Sequence, residues 1–459
     1  MANFYTVKDI ELSSIADAIR TKAEISDNLT FPSGFVSAID GIEAGGGSGG
    51  GYEDAIVKRT IRAYENSRVS TIGAYAFYSH SSLTSVSFLA CTSIESNAFQ
   101  FCHSLTEANF PACTNIGSNA FRNCPSLTEV SFPACTSIES FAFYQCSSLT
   151  EAIFPACTSI GSSAFYSCSS LTLISFPNYT TSIEEDVFCK CSSLTSVSFP
   201  ACTAMGYNAF GFCSSLTSVS FPACTSIGSS AFAYCTSLAS ISFPVCTSIG
   251  GYAFYNCSSL TSVSFSVCTS IGNYAFGYCS SLTSVSFPAC TSIGSGAFRG
   301  CSNLTEANFP ACKSIGSSAF YDCKSIIALS FDMYSGTVTN GIFGTSSNSN
   351  LKTANFPACT SIGARAFYQC SSLTEANFPA CKSIGSSAFQ NCYKLLSLYL
   401  TGSSLCMLPY SNTFTSTPIA GYTTSTGGVY GSIYVPASLV DQYKSATNWS
   451  YFSERFVGV

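Results

Sequence analysis

The sequence predicts a repeat solenoid of about 15 coils, built around a parallel β-sheet. Three observations predict it. A 22-residue unit, clean at 213–234 as CSSLTSVSFPACTSIGSSAFAY, recurs from about Ser67 to Leu400. A landmark Phe falls at 77, 99, 121, 143, 165, 188, 210, 232, 254, 276, 298, 320, 343, 367 and 389, mostly in steps of 22. Cysteine recurs every 11 residues from Cys91 to Cys168 and again from Cys191 to Cys323. A fixed period of this length marks stacked coils, each unable to bury its apolar face alone.

Within one unit the apolar residues are Cys213, Leu216, Val219, Phe221, Cys224, Ile227 and Phe232, with Ser, Thr and Gly between them. These seven are the expected core layer. The run Thr217–Phe221 alternates outward and inward, the pattern of a half-buried strand. Pro222 has no N–H to give and ends that strand at a corner. Thr225-Ser226-Ile227-Gly228 reads as a second short extended run, with Gly228 permitting the next turn. Burying one large apolar side chain is worth about 1.5–3 kcal/mol, less than the ordering cost of a coil, so only the stack is stable.

The pattern LTSVxFP…TSIGxxAFxxCxxL resembles the BspA-like, or Treponema-type, leucine-rich repeat, over about 330 residues. The resemblance implies a curved right-handed solenoid with its parallel sheet on the concave face. It also implies adhesion or binding rather than catalysis.

Composition narrows the function further. Net charge is −6 and only 9% of residues are charged, so there is no basic patch for nucleic acid. No apolar run reaches 18 residues, so no membrane span is expected. The 27 cysteines fall at inward offsets, where a reduced thiol behaves as a small hydrophobe. No paired CxxC exists, and Cys189-Lys190-Cys191 stands alone. No metal site and no cofactor are therefore expected.

In chain order, residues 1–44 read as a small helical module. Glu11–Lys22 carries an apolar stripe (Leu12, Ile15, Ala16, Ile19), and Phe35–Ile42 reads as a second short helix. Two such helices cannot hold a large core, so packing on a partner or on copies of the chain, a homo-oligomer, is expected. The string ELSSIADAIRTKA…LTFPSGFVSAIDGI resembles the N-terminal segment of tail proteins from phages and prophages of Gram-positive gut bacteria. That resemblance makes 1–44 the attachment end, with a tail or baseplate component as its partner. It also fits a start without a basic region followed by an apolar one, the pattern of a signal peptide: a virion tail protein assembles in the host cytoplasm and leaves by lysis. Residues 45–51 are a Gly/Ser linker, and 52–69 read as the N-terminal cap of the solenoid. The array spans 70–400. It departs from the period at 178–183, where one residue is added and a Cys is missing, and at 332–350, read as a bulging loop. Residues 401–459, with the lone Trp449, read as the C-terminal cap.

Candidate chemistry is sparse. His80 and His103 offer no Cys–His nucleophile geometry, because neighbours in sequence point apart. Glu107, Glu129 and Glu151 recur one coil apart, either as a cation-binding ladder or as a solvated polar face. The informative signal is variation between coils. Two pairs of positions vary freely: those after Ile-Gly and those after the landmark Phe. They carry Tyr144, Tyr166, Tyr207, Phe212, Tyr234, Tyr252, Tyr255, Tyr274 and Tyr278, the candidate binding residues. Tyr75, Tyr78, Phe101, Arg122, Phe141, Arg299, Tyr321 and Tyr368 occupy the same positions. Both pairs are expected on one edge, either as a binding stripe or as tolerated surface turns. Tyr set among Ser, Gly and Asn is also the alphabet of antibody paratopes. A second candidate surface is the serine-rich sheet face (Ser196, Ser198, Ser218, Ser220, Ser240, Ser242, Ser262, Ser264). The expected function is non-enzymatic recognition of a bacterial surface glycan or protein receptor by a phage or prophage tail protein. The alternative is a bacterial cell-surface adhesin. A glycan-degrading tail enzyme is a third reading and lacks a paired-carboxylate site.

Overall fold

The computed structural model describes residues 63–338, 342 and 350–459. The 1–44 module, the 45–51 linker, most of the 52–69 cap, the landmark Phe343 and most of the 332–350 loop lie outside the described residues. The chain forms two compact units, one up to Asn178 and one from Tyr179 to Val459.

Each repeat contributes two short strands. In the 213–234 repeat these are Ser218–Ser220 and Ser226–Ile227. Among the described residues all ladders are parallel, and in the regular coils they keep the repeat spacing: Ser218 pairs with Ser240, Val219 with Ile241, and Ile227 with Ile249. One residue of slip would turn every inward side chain outward, so the repeated apolar pattern fixes this register. In the first unit, Ala63–Asn66, Ser85–Phe88, Glu107–Asn109 and Glu129–Ser131 form one sheet. In the second, nine strands run from Ser262–Ser264 to Phe456–Gly458. Fifteen repeats supply a strand of this longer kind, and Ala63–Asn66, Ser432–Val435 and Phe456–Gly458 extend the series. The solenoid therefore has about 18 turns rather than 15, because the terminal segments add strands of their own.

The core is built in columns. Cys213, Leu216, Val219, Phe221, Cys224, Ile227 and Phe232 are all buried. Successive Phe rings stack nearly parallel, as in Phe232–Phe254 (5.4 Å, 6°) and Phe221–Phe243 (5.4 Å, 8°). The two columns meet edge to face, as in Phe232–Phe243 (6.0 Å, 65°). Aromatic pairs favour both arrangements.

All 27 cysteines are buried and none is bridged. They are more than fillers. In one column thiols donate to the landmark Phe carbonyl one coil back, as Cys235 to Phe210 (3.1 Å) and Cys257 to Phe232 (3.2 Å). In the other, the thiols from Cys91 to Cys381 donate to the carbonyl two residues ahead, as Cys224 to Ser226 and Cys246 to Ser248 (both 3.2 Å). The missing Cys of that second column is replaced at 179 and 334 by Tyr, both buried. Their hydroxyls donate to the carbonyls of Ser182 and Thr337, three residues ahead instead of two. The longer reach accounts for the one residue added in the Tyr179 coil and for one of the three added between Tyr334 and Cys359.

The third wall, 228–235 in this repeat, has its own hydrogen-bond rule. Ser230, Phe232 and Tyr234 donate to Gly251, Ala253 and Tyr255 of the next coil (2.8, 2.8 and 2.7 Å). The intervening N–H groups of Ala231, Ala233 and Cys235 close local turns. This wall corrects the reading of Gly228. The left-handed residues are Ser230 (φ 58°) and Tyr234 (φ 61°), and equivalent pairs recur coil after coil. Gly228 is needed for close approach instead, because a Cβ there would lie 2.5 Å from the carbonyl oxygens of Gly206 and Met205.

At the C-terminus, Pro436 ends the Ser432–Val435 strand and leads into a short helix, Val440–Ser445. Tyr443, on this helix, and Trp449 are fully buried, both in contact with Phe456.

Candidate binding surface

The two variable pairs come together on one edge of the coils. Rings from both pairs touch, as in Tyr252–Tyr255 (5.3 Å). In the second unit the contacts run on without a break. Phe212 stacks on Tyr234 (4.7 Å, 7°), Tyr234 meets Tyr255 edge to face (5.5 Å), and Tyr255 meets Tyr278 the same way (5.4 Å). Tyr252 stacks on Tyr274 (5.1 Å, 11°). The guanidinium of Arg299 lies over the Tyr321 ring at 4.4 Å and faces the Tyr274 and Tyr278 hydroxyls. Burial alone would lower the Arg299 pKa, but those two hydroxyls outweigh it and raise it. The Tyr255 phenol is also pushed up, first by burial and then by the neighbouring Tyr234, Tyr278 and Tyr252 hydroxyls. Phe212, Tyr234, Tyr252 and Tyr278 remain about 40% exposed. Tyr207 is exposed and stands outside this chain of ring contacts.

The first unit carries a shorter version. Tyr144 stacks on Tyr166 (4.9 Å, 6°), Phe141 lies against Tyr144, and the Arg122 guanidinium sits 4.8 Å over the Tyr144 ring.

The backbone beneath the ridge is the feature that sequence reading missed. Phe212, Tyr234, Tyr252, Tyr274 and Tyr278 all have φ between 55° and 61°. L-residues pay about 1–2 kcal/mol for that conformation, and bulky ones rarely adopt it. Equivalent positions in other coils hold Asn119, Asn123, Ser163, Ser167, Gly296 and Gly300. Two of those glycines seat the ridge. A Cβ on Gly296 would meet the Tyr274 ring at 2.6 Å, and one on Gly300 would meet the Tyr278 ring at 2.7 Å. The recurrence of Asn, Ser, Asp and Gly at two sites four residues apart was the available signal for left-handed backbone.

The other candidates are placed as follows. Ser196, Ser198, Ser218, Ser220, Ser240, Ser242, Ser262 and Ser264 are exposed on the sheet face. Thr217, just before the Ser218–Ser220 strand, donates its hydroxyl to the Thr195 carbonyl, and Thr225, before the second short strand, likewise donates to the Thr203 carbonyl (both 3.1 Å). Glu107 and Glu129 are register partners, and with Glu151 and Ile153 they line an open groove of about 400 Å³. Among the described residues, no group of three or more His, Cys, Asp or Glu is arranged to hold a metal ion. His80 is buried against Phe77, while His103 is exposed beside Phe101. The Cys102 thiol is committed to the Phe77 carbonyl (3.0 Å). No helix among the described residues is long and apolar enough to cross a membrane.

In-register parallel strands, a 22-residue coil and a leucine or isoleucine in every layer define the class as leucine-rich repeat. Within that class, the family model described as "BspA type Leucine rich repeat region (6 copies)" matches residues 70–158, 158–281 and 269–396. This is more than half of the chain, and the chain belongs to that family. Among solved structures it is similar to a leucine-rich repeat protein from Bacteroides ovatus (24% identity, TM-score 0.51, 74% of this chain and 86% of that one). It is also similar to a leucine rich cell surface protein from Faecalibacterium prausnitzii (23% identity, TM-score 0.42, 78% and 91%). No curated protein sequence matches the chain.

Proposed function

We propose that this chain is a non-enzymatic, cell-surface-type recognition protein that binds its ligand along the Phe212–Tyr278 ridge and Arg299. One observation carries the reading. Five aromatic side chains of the ridge, of eight in the described residues, occupy left-handed backbone positions that Asn, Ser or Gly fill at lower cost elsewhere in the same chain. Strained, exposed residues of this kind concentrate where function requires them. Tyr also offers large contact area with few rotors to freeze, and Tyr and Arg dominate binding hot spots. The ligand class is a bacterial surface glycan or a protein receptor. Catalysis has no support in the ridge, which holds no paired carboxylates.

Changing Tyr234, Tyr252, Tyr255 and Tyr274 together to Ser tests this reading. Binding to target cells should fall at least tenfold while the melting curve is retained. Unchanged binding by a folded variant would remove the ridge as the site.

The resemblance of 1–44 to tail-protein segments favours a second setting for the same activity, display on a phage or prophage tail. Several copies joined through that module would add weak contacts by avidity. Antibody labelling of intact cells against labelling of purified tail particles separates the two settings.

A further inference from the structure

The C-terminal end of the thiol ladder departs from the rest. In regular coils Ser361 pairs with Ser383, which sets Cys359 opposite Cys381 in one column. At the next step Met407, not a residue two beyond a cysteine, bridges to Ser383. Cys406 therefore falls opposite Lys382, one residue out of the column. The nearest acceptor of its thiol is a sulfur, not a carbonyl. The thiol donates to the sulfur of Cys381 at 3.4 Å, and the Met407 carbonyl lies at 3.9 Å. The peptide of Cys406 is clamped from both sides: its N–H donates to the Tyr443 hydroxyl (2.9 Å), and its carbonyl accepts from the indole N–H of Trp449 (2.6 Å). Both cysteines are buried, Cys406 completely.

We propose that Cys381 and Cys406 are an oxidative modification site, two thiols that a small-molecule disulfide converts into a covalent staple between the solenoid and its C-terminal cap. The site is independent of the ridge and of what the ridge binds. In the first step Cys381, having given its proton to solvent, attacks one sulfur of the small disulfide and expels one small thiolate. In the second, Cys406 loses its proton and attacks the Cys381 sulfur of the mixed disulfide, releasing the second small thiolate. The two protein thiols are oxidised, and the small disulfide is reduced to two thiols. The hydrogen bond from Cys406 favours the first step by lowering the Cys381 pKa against the opposing effect of burial. Access requires the cap to loosen, which chain ends do at lower cost than core coils.

The test uses the full chain and oxidised glutathione, followed by alkylation under denaturing conditions and peptide mass spectrometry. Trp449 is the only tryptophan and is bonded to the Cys406 carbonyl, so its fluorescence reports on the cap. The expected result is one cross-linked peptide pair, Cys381 with Cys406, the other thiols remaining free. The cap transition should move to higher temperature and return when dithiothreitol is added. Cys406→Ser and Cys381→Ser should abolish both the cross-link and the shift. Two free thiols at 381 and 406 after oxidation would overturn the proposal, as would cross-links elsewhere, such as Cys102 with Cys124. A shift that persists in Cys406→Ser would overturn it as well. The wild-type peptide analysis decides the matter even if a serine variant fails to fold.

Discussion

A tyrosine at φ 58°, as at Tyr252, sits where Asn208, Ser230 and Gly296 sit in other coils. Relief of that conformation is worth about 1 kcal/mol, and loss of its two ring contacts, with Tyr274 and Tyr255, costs about 0.5–1.5 kcal/mol each. The terms largely offset one another. Tyr252→Asn is therefore expected to cost at most about 2 kcal/mol in a urea titration, while weakening binding along the ridge. Phe254, two residues on in the core column, gives the contrast: Phe254→Ala should cost about 3–5 kcal/mol. Equal losses at the two sites would mean that the ridge is structural. Much of this scale was legible in advance. Identical residues at fixed offsets named the core layer, and variation between coils pointed to the edge. What was not legible is why that edge can hold rings at all. Left-handed backbone is disguised when Tyr and Phe stand in for the Asn and Gly that normally announce it.

At the scale of one coil, two small substitutions separate conformation from contact. Gly250 has no left-handed φ, yet a Cβ there would lie 2.5 Å from the Ser229 nitrogen of the preceding coil. Gly251, its neighbour, would place a Cβ 3.2 Å from the Asn273 oxygen. Backbone cannot yield as a side-chain tip does. Gly250→Ala should thus destabilise by about 1–3 kcal/mol, the range for overpacking, and Gly251→Ala by clearly less. The two irregular coils follow a related logic. Tyr179 fills a cysteine position and replaces the thiol's hydrogen bond with one from its hydroxyl to Ser182. Tyr179→Phe should cost about 1 kcal/mol, the usual net worth of such a bond. Sequence reading recognised that the period breaks at 178–183. It had no means of seeing that the Tyr is itself the replacement, because a hydroxyl reaching the third residue ahead leaves no mark in a pattern of offsets.

Over the whole molecule, the thiol columns couple stability to pH. Burial pushes Cys224, Cys246, Cys268 and Cys290 from an ordinary value near 9 up to about 12. The folded-state pKa lies above the unfolded one, so the contribution is fully present below about pH 9. Between about 9 and 12 the unfolded chain releases thiol protons that the folded chain keeps, and rising pH then favours unfolding. The urea midpoint should be flat from about pH 6 to 8 and should fall progressively above 9. At pH 8 a thiol reagent should find almost nothing in the native protein outside the Cys381–Cys406 pair, because both burial and protonation protect the sulfur. On adding urea, reactive thiols should appear in groups rather than all at once, since each coil is held chiefly by its two neighbours and end coils have only one. Peptide mapping of the first thiols labelled checks this. Cysteines labelled first in the middle of the array, such as Cys257, would show that the coils do not protect one another in sequence.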